Sequence, residues 1–412
     1  MKRAIILVPG FGRREKNSAR SELVSSLLVT SDGWSMVTRE GTATADADVV
    51  ELEATNRSDG SKVTLDVYEA FWGDLIPDWS HESPWARLHR GFDLIWYWAL
   101  GGLGRSALSW SWPRRTLVAL VFGALLLAIW YAGIILLFLA AITDGDGGMP
   151  APLMPLLETV GLDKPIAWLA TVAAGWSLGA LVIGLATLGS VEGIANISSF
   201  TKLFLQDLAE NTETAGVRTK AKARLLTQLD HVTEAKATEA YDEVYVVAHS
   251  LGGAVAVDAL AEYGKPLTKT VLFTWGSALG SLVQQEPMLE AEIQKLCRSK
   301  HQLKAWVDVV FKRDFMGSIT ARRPPVTLSG ELDHDALSDH EIIPSLVEPA
   351  LPRGLPDWSE RIHGGYYQSK STIQLLVEPS KNLPVISRPV LSQRSVLEAR
   401  TLDKSRLDRQ TK

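Results

Sequence analysis

Three short apolar runs in this chain end at residues that carry chemistry. Ala4–Val8 is wholly apolar and stops at Pro9-Gly10-Phe11-Gly12. Val244–Ala248 stops at His249-Ser250, with Leu251-Gly252-Gly253 directly behind. Ala305–Phe311 is interrupted only by Asp308 and leads to Asp314. Short runs of this kind, rich in β-branched residues and lacking polar alternation, are those of strands buried on both faces of a parallel sheet. The stretch "LGGAVAVDALAEYG" has a different period. Leu251, Val255, Ala259 and Leu260 fall near one face of a helix, and Gly264 and Pro266 end it. The pattern predicts strand, tight turn, helix, with Ser250 in the turn.

Two further stretches have no charge over more than the roughly 20 residues that cross a bilayer as a helix. They are Thr116–Thr143 and Pro165–Val191. The second has Gly175, Gly179, Ala180 and Gly184, small residues that let a neighbouring helix approach closely. The expectation is a transmembrane hairpin, with a pair of buried core helices as the alternative. Arg105, Arg114 and Arg115 precede the first stretch and Lys202 follows the second, whereas the connecting segment has four acids and one lysine. The positive-inside rule then places both chain ends in the cytoplasm.

Seven of the 14 tryptophans lie between Trp72 and Trp112. Tryptophan favours the headgroup level of a membrane, and the segment "GFDLIWYWALGGLGRSALSW" (91–110) reads as interfacial or re-entrant, or else as aromatic packing under a lid. The start, "MKRAIILVPGFG", has too short an apolar run for a signal peptide and reads as a first strand. From residue 379 the chain is polar and charged, the composition of a disordered tail.

Composition narrows the classes. The net charge of −5 gives no reason to expect nucleic-acid binding, and the single cysteine, Cys297, excludes an internal disulfide and a cysteine-based zinc cluster. No cofactor is expected. "ELDHDALSDHE" holds Asp335, Asp339 and His340, but an acidic loop is more often solvated than metal-bound, and no metal is assigned.

The serine turn carries the chemistry. A strand–helix turn this tight demands small residues two before and two after the serine, here Ala248 and Gly252. Such an elbow exposes the serine Oγ at the positive end of the following helix. The Leu251 N–H would face a developing oxyanion, with the Phe11 N–H as a second donor. A triad acid belongs beyond the carboxyl end of a strand, which favours Asp314 over Asp308, a residue inside the run. His363, in the glycine-rich "ERIHGGYYQ" before a helical segment bearing Ile373, Leu376 and Val377, is favoured as the base over His334 and His340.

The order Ser250, Asp314, His363 is that of α/β-hydrolases. With "VPGFG", "VVAHSLGG", "WVDVVFKRDFMGS" and "HGGYY", the chain resembles an α/β-hydrolase of the lipase or esterase type over residues 1–75 and 192–378. Ala248 stands where the elbow usually has glycine, and Pro9 where a histidine often precedes the oxyanion glycine. The resemblance implies an α/β fold, a mostly parallel sheet with helices on both faces, interrupted by a Trp-rich segment (76–115) and the hairpin (116–191). It implies Ser250, His363 and Asp314 as the triad and Phe11 and Leu251 as the oxyanion hole. The expected substrate is a lipid or acyl ester, the expected partner the bilayer, and the expected place an inner or plasma membrane with the hydrolase domain cytoplasmic. A thioesterase or protein deacylase, and a non-catalytic membrane scaffold, are the alternative readings.

Overall fold

The computed structural model describes residues 1–12, 15–30, 33–39, 48–101, 193, 195–206, 216–234, 240–298, 303–311, 314, 317 and 363–378. These fall into two compact units, one of residues 1–76 with 207–412 and one of residues 77–206.

The first unit is built on a seven-stranded sheet. Its strands are β1 (Lys2–Val8), β2 (Trp34–Thr38), β3 (Val50–Asn56), β4 (Lys62–Glu69), β5 (Glu243–His249), β6 (Thr270–Trp275) and β7 (Ala305–Val309), in the order β2-β3-β4-β1-β5-β6-β7. The β4-β1-β5-β6-β7 block is parallel; β3 runs antiparallel to β4 and β2 antiparallel to β3. The three apolar runs of the sequence are β1, β5 and β7. In β5 and β6 every residue is buried, which is why these strands show no polar alternation.

Helices cover both faces. Helix α1 (Ser18–Thr30) and the C-terminal helix α7 (Lys370–Val377) lie on the face formed by Ile5, Leu7, Tyr245, Val247, Phe273 and Val307. Helix α4 (Gly252–Glu262) packs on the other, between α3 (Val217–Thr233) and α6 (Pro287–Arg298), and the short α5 (Leu279–Gln285) precedes α6. The chain leaves β1 toward α1 on one face and leaves β5 toward α4 on the opposite face. Neighbouring parallel strands whose connections depart in opposite directions open a crevice at their carboxyl ends, where ligands bind in open α/β sheets. Ser250 stands at this crevice.

The opposite end of the sheet is pinned by a buried cation. Arg3 donates to Glu243 through Nε (3.0 Å) and Nη2 (2.5 Å), to the Leu376 carbonyl (2.5 Å) and to the Glu378 carbonyl (3.1 Å). Lys304 and the Tyr245 hydroxyl also donate to Glu243, at 2.7 and 3.1 Å. The guanidinium lies 4.1 Å from the Tyr245 ring centre. This cluster ties β1 to β5 and anchors the end of α7, the helix that follows His363.

The second unit contains α2 (Pro84–Leu100), a single helix where the sequence reads as an interfacial or re-entrant segment. Ser83 caps it, accepting from the Ala86 N–H, and Pro84 occupies its first turn. Arg90 bridges α2 to residues 195–206, also helical, through Asn196 and Ser199, both at 3.0 Å. Phe92 and Trp96 face outward. Trp72, by contrast, belongs to the first unit, is fully buried, and donates to the Pro9 carbonyl at 3.0 Å. It is a core residue that supports the loop after β1.

Among the described residues no helix is long and apolar enough to cross a membrane. The expected hairpin, 116–191, lies outside the described residues, as do Trp110, Trp112 and the tail from 379.

Arg3→Met removes four hydrogen bonds from a buried cluster and leaves Glu243 with Lys304 as its cation. A loss of about 3 kcal/mol is expected from breaking a buried pair, read as a lower urea midpoint. Cleavage by protease within 363–378 should rise in parallel as α7 loosens.

Candidate active site

The site begins with the backbone of Ser250. Its φ is 54°, in the left-handed region that residues with a Cβ seldom enter. The turn is fixed on both sides: the Ser250 N–H donates to the Trp275 carbonyl at 2.9 Å, and the Ser250 carbonyl accepts from the Gly253 N–H at 3.1 Å. Helix α4 starts at Gly252, and its backbone is pressed against the loop that leaves β1. A Cβ on Gly252 would fall 2.5 Å from the Val8 carbonyl oxygen and 2.6 Å from that of Pro9. Only glycine fits there. Ala248, two residues before the serine, is fully buried in register with Val8 and Thr274, so a methyl group is accommodated at that position.

Ser250, His363 and Asp314 are brought together from three separate segments. His363 Nε2 lies 2.7 Å from Ser250 Oγ, and His363 Nδ1 lies 2.9 Å from Asp314 Oδ2. A carboxylate only accepts, so Nδ1 carries the hydrogen on this side and Nε2 is left to accept from the serine hydroxyl. The Asp314 side chain is fully buried, whereas that of His363 keeps 16% of its surface open. The imidazole is thus reachable from solvent and the carboxylate is not. Asp314 follows β7, its N–H turned back onto the Phe311 carbonyl at 3.0 Å.

Asp308, the alternative acid, does not join this group. It sits within β7 in register with Thr274 and is hydrogen-bonded by the Thr274 hydroxyl. Trp306 Nε1 donates to the same hydroxyl at 3.0 Å. His334, Asp335, Asp339 and His340 lie outside the described residues. The one cluster of acids that comes close together among the described residues is Asp258, Glu262 and Glu292. Arg218 grips Asp258 through two hydrogen bonds of 2.8 and 2.9 Å, and Lys222 pairs with Glu262 at 2.7 Å. Glu292 has Lys295 at 3.7 Å, so each of the three acids has a cation of the protein beside it.

Gly10 lies beside Ser250: a Cβ built there would be 2.9 Å from Ser250 Cβ. The residue following it is Phe11, and the residue following Ser250 is Leu251, at the start of α4 with helical dihedrals. Both expected oxyanion donors therefore belong to segments that border Ser250.

Tyr366 is a member of the site that the sequence reading left without a role. Its hydroxyl donates to Asp314 Oδ2 at 2.7 Å and accepts from the Phe311 N–H at 3.0 Å. Its ring stacks on Phe311 with centres 3.9 Å apart and planes 3° from parallel. Burial, then the Asp314 charge, push the Tyr366 hydroxyl well above its ordinary pKa, so it remains a donor. Two donors on one oxygen hold the Asp314 carboxylate in place and satisfy its buried charge. The signal in the sequence was "HGGYY", which named tyrosines near the histidine but not the atom they would reach.

Compared with models of known families, with curated proteins and with solved structures, the chain gives no match.

Tyr366→Phe keeps the stacked ring but removes a donor from Asp314 and orphans the Phe311 N–H. A stability loss of about 1–3 kcal/mol is expected, measurable by thermal denaturation.

Proposed function

We propose that this chain is a serine hydrolase of the α/β-hydrolase type that cleaves an ester bond. The observation that carries the reading is the Ser250–His363–Asp314 relay, with links of 2.7 and 2.9 Å, on a serine held at positive φ between strand and helix. A serine hydroxyl in an ordinary turn needs neither the strained backbone nor a histidine fixed by a buried carboxylate.

The chemistry follows from the tautomer. His363 Nε2 takes the Ser250 hydroxyl proton as Oγ bonds to the ester carbonyl carbon. The carbonyl electron pair moves onto oxygen, where the N–H groups of Phe11 and Leu251 receive it. Collapse of this tetrahedral species breaks the bond to the alkoxy group, which leaves with the proton from His363. Water then gives a proton to His363 and its hydroxide to the acyl carbon. A second collapse frees the acid and returns the proton to Ser250. Asp314 holds the imidazole in the required tautomer and stabilises its cationic form; it does not take the proton. Each oxyanion donor is worth about 3 kcal/mol in such reactions.

The substrate proposed is a lipid or acyl ester, drawn from the cytoplasmic face of the membrane that the uncharged stretches within 116–191 would span. The charge distribution around those stretches supports this placement. The site itself offers no preference between an ester and a thioester of the same acyl group.

A fluorophosphonate probe should label the wild-type protein on Ser250 and leave Ser250→Ala unlabelled. His363→Ala should label on the order of 10⁴-fold more slowly, the scale on which a triad member contributes. A folded wild-type protein that resists the probe would remove the hydrolase reading. Matched ester and thioester substrates then decide the acyl linkage, with the ester expected to turn over. Separately, the chain should stay in the membrane pellet after alkaline carbonate extraction; release into the supernatant would remove the membrane anchor and leave the hydrolase untouched.

A further inference from the structure

His249, the residue before the nucleophile, is not used in the reaction just described, yet it is almost wholly buried at the centre of the site, at 7% exposure. Strand alternation places it on the same face of the sheet as Tyr245 and Val247, the face covered by α1 and α7. Its ring lies among the aromatic groups of the base segment. The ring centres are 4.9 Å from His363, 5.2 Å from Tyr367 and 5.8 Å from Tyr366.

Its polar edges meet both loops that border Ser250. Nε2 is 2.7 Å from the backbone carbonyl oxygen of His363. A carbonyl oxygen only accepts, so this nitrogen carries a hydrogen. Nδ1 faces the loop after β1, 2.8 Å from the place a Cβ on Gly10 would occupy. One side chain thus touches the backbone that carries the base and the backbone that leads to Phe11.

We propose that His249 is a positioning residue whose Nε2–H fixes the main chain of His363, and so sets where the base stands relative to Ser250. The inference rests on the hydrolase reading for its kinetic consequence. Its physical basis stands apart from that reading. His363 enters from a glycine-rich segment, with Gly364 and Gly365 directly behind it; its side chain is anchored at Asp314 through Nδ1, and its Nε2 meets the Ser250 hydroxyl it is to deprotonate. A serine hydroxyl rotates to suit its partner, so the ring can still tilt, and the tilt moves Nε2. Pinning the residue's own carbonyl removes that freedom. A displacement of about 1 Å of a reacting group can cost on the order of a hundredfold in rate, so a single buried hydrogen bond here has large leverage.

The test separates donation from packing. His249→Phe keeps an aromatic ring against Tyr367 and removes the donor. His249→Gln gives up the ring but carries an amide N–H at nearly the reach of Nε2. Fluorophosphonate labelling should slow by about ten- to a hundredfold in His249→Phe, while His249→Gln restores most of the wild-type rate. Melting temperatures of both are recorded, and His249→Met replaces the phenylalanine variant if that one does not fold. Equal slowing of the Phe and Gln variants, or a Phe variant as fast as wild type, overturns the proposal.

A second readout needs no turnover. The His363 Nδ1 proton shared with Asp314 should give a far-downfield proton resonance in wild-type protein in detergent. In His249→Phe it should broaden or shift as the ring loosens. If wild type is not labelled by the probe, the hydrolase reading fails while this signal still decides the role of His249. A resonance unchanged by His249→Phe overturns the positioning role even if the enzyme is active.

Discussion

The whole site depends on how closely two strand ends can approach. Gly252 lies so near the Val8 and Pro9 carbonyls that a single added carbon would fall within 2.6 Å of both. That contact lets α4 begin immediately after Ser250, which forces the serine to a φ of 54° and lifts its hydroxyl into the crevice between β1 and β5. A left-handed non-glycine residue costs on the order of 1–3 kcal/mol. The cost is met by the fully buried strands on each side and by the hydrogen bond from Ser250 N–H to the Trp275 carbonyl. Were the elbow relaxed, the hydroxyl would drop toward the sheet and His363 could not reach it.

From that point the site is a chain of fixed atoms leading into the core. Ser250 meets His363, His363 meets Asp314, Asp314 meets Tyr366, and Tyr366 accepts from the main chain of Phe311 in the segment that leaves β7. Each link is between 2.7 and 3.0 Å. The buried carboxylate is not left uncompensated, because an imidazole N–H and a phenol O–H both point at one of its oxygens. At the far end of the sheet Arg3 closes the same structure, tying the carbonyls at the end of α7 to β1 and β5. The segment that carries His363 is thereby held at both its ends.

Three of the seven strands were legible in the sequence because a strand buried on both faces needs an unbroken apolar run. Ala4–Val8, Val244–Ala248 and Ala305–Phe311 display one, and the first two each stop at glycine-rich turns. The antiparallel strands β2 and β3 gave no such signal: their buried positions alternate with partly or fully exposed ones. The grouping of Ser250, Asp314 and His363 was legible from their order and from Asp314 lying past its strand. Tyr366 and His249 were not, because their roles are distances between segments more than fifty positions apart in sequence.

The central claim is that Ser250 forms a covalent acyl intermediate. The most direct measurement is mass spectrometry of protein quenched in acid seconds after mixing with a p-nitrophenyl ester. The account requires one acyl group per chain, located on the peptide that contains Ser250. It also requires the adduct to be absent from Ser250→Ala and to persist longer when His363 is replaced after acylation is forced with excess ester. Ester hydrolysis with no adduct, or an adduct on another residue, would contradict it.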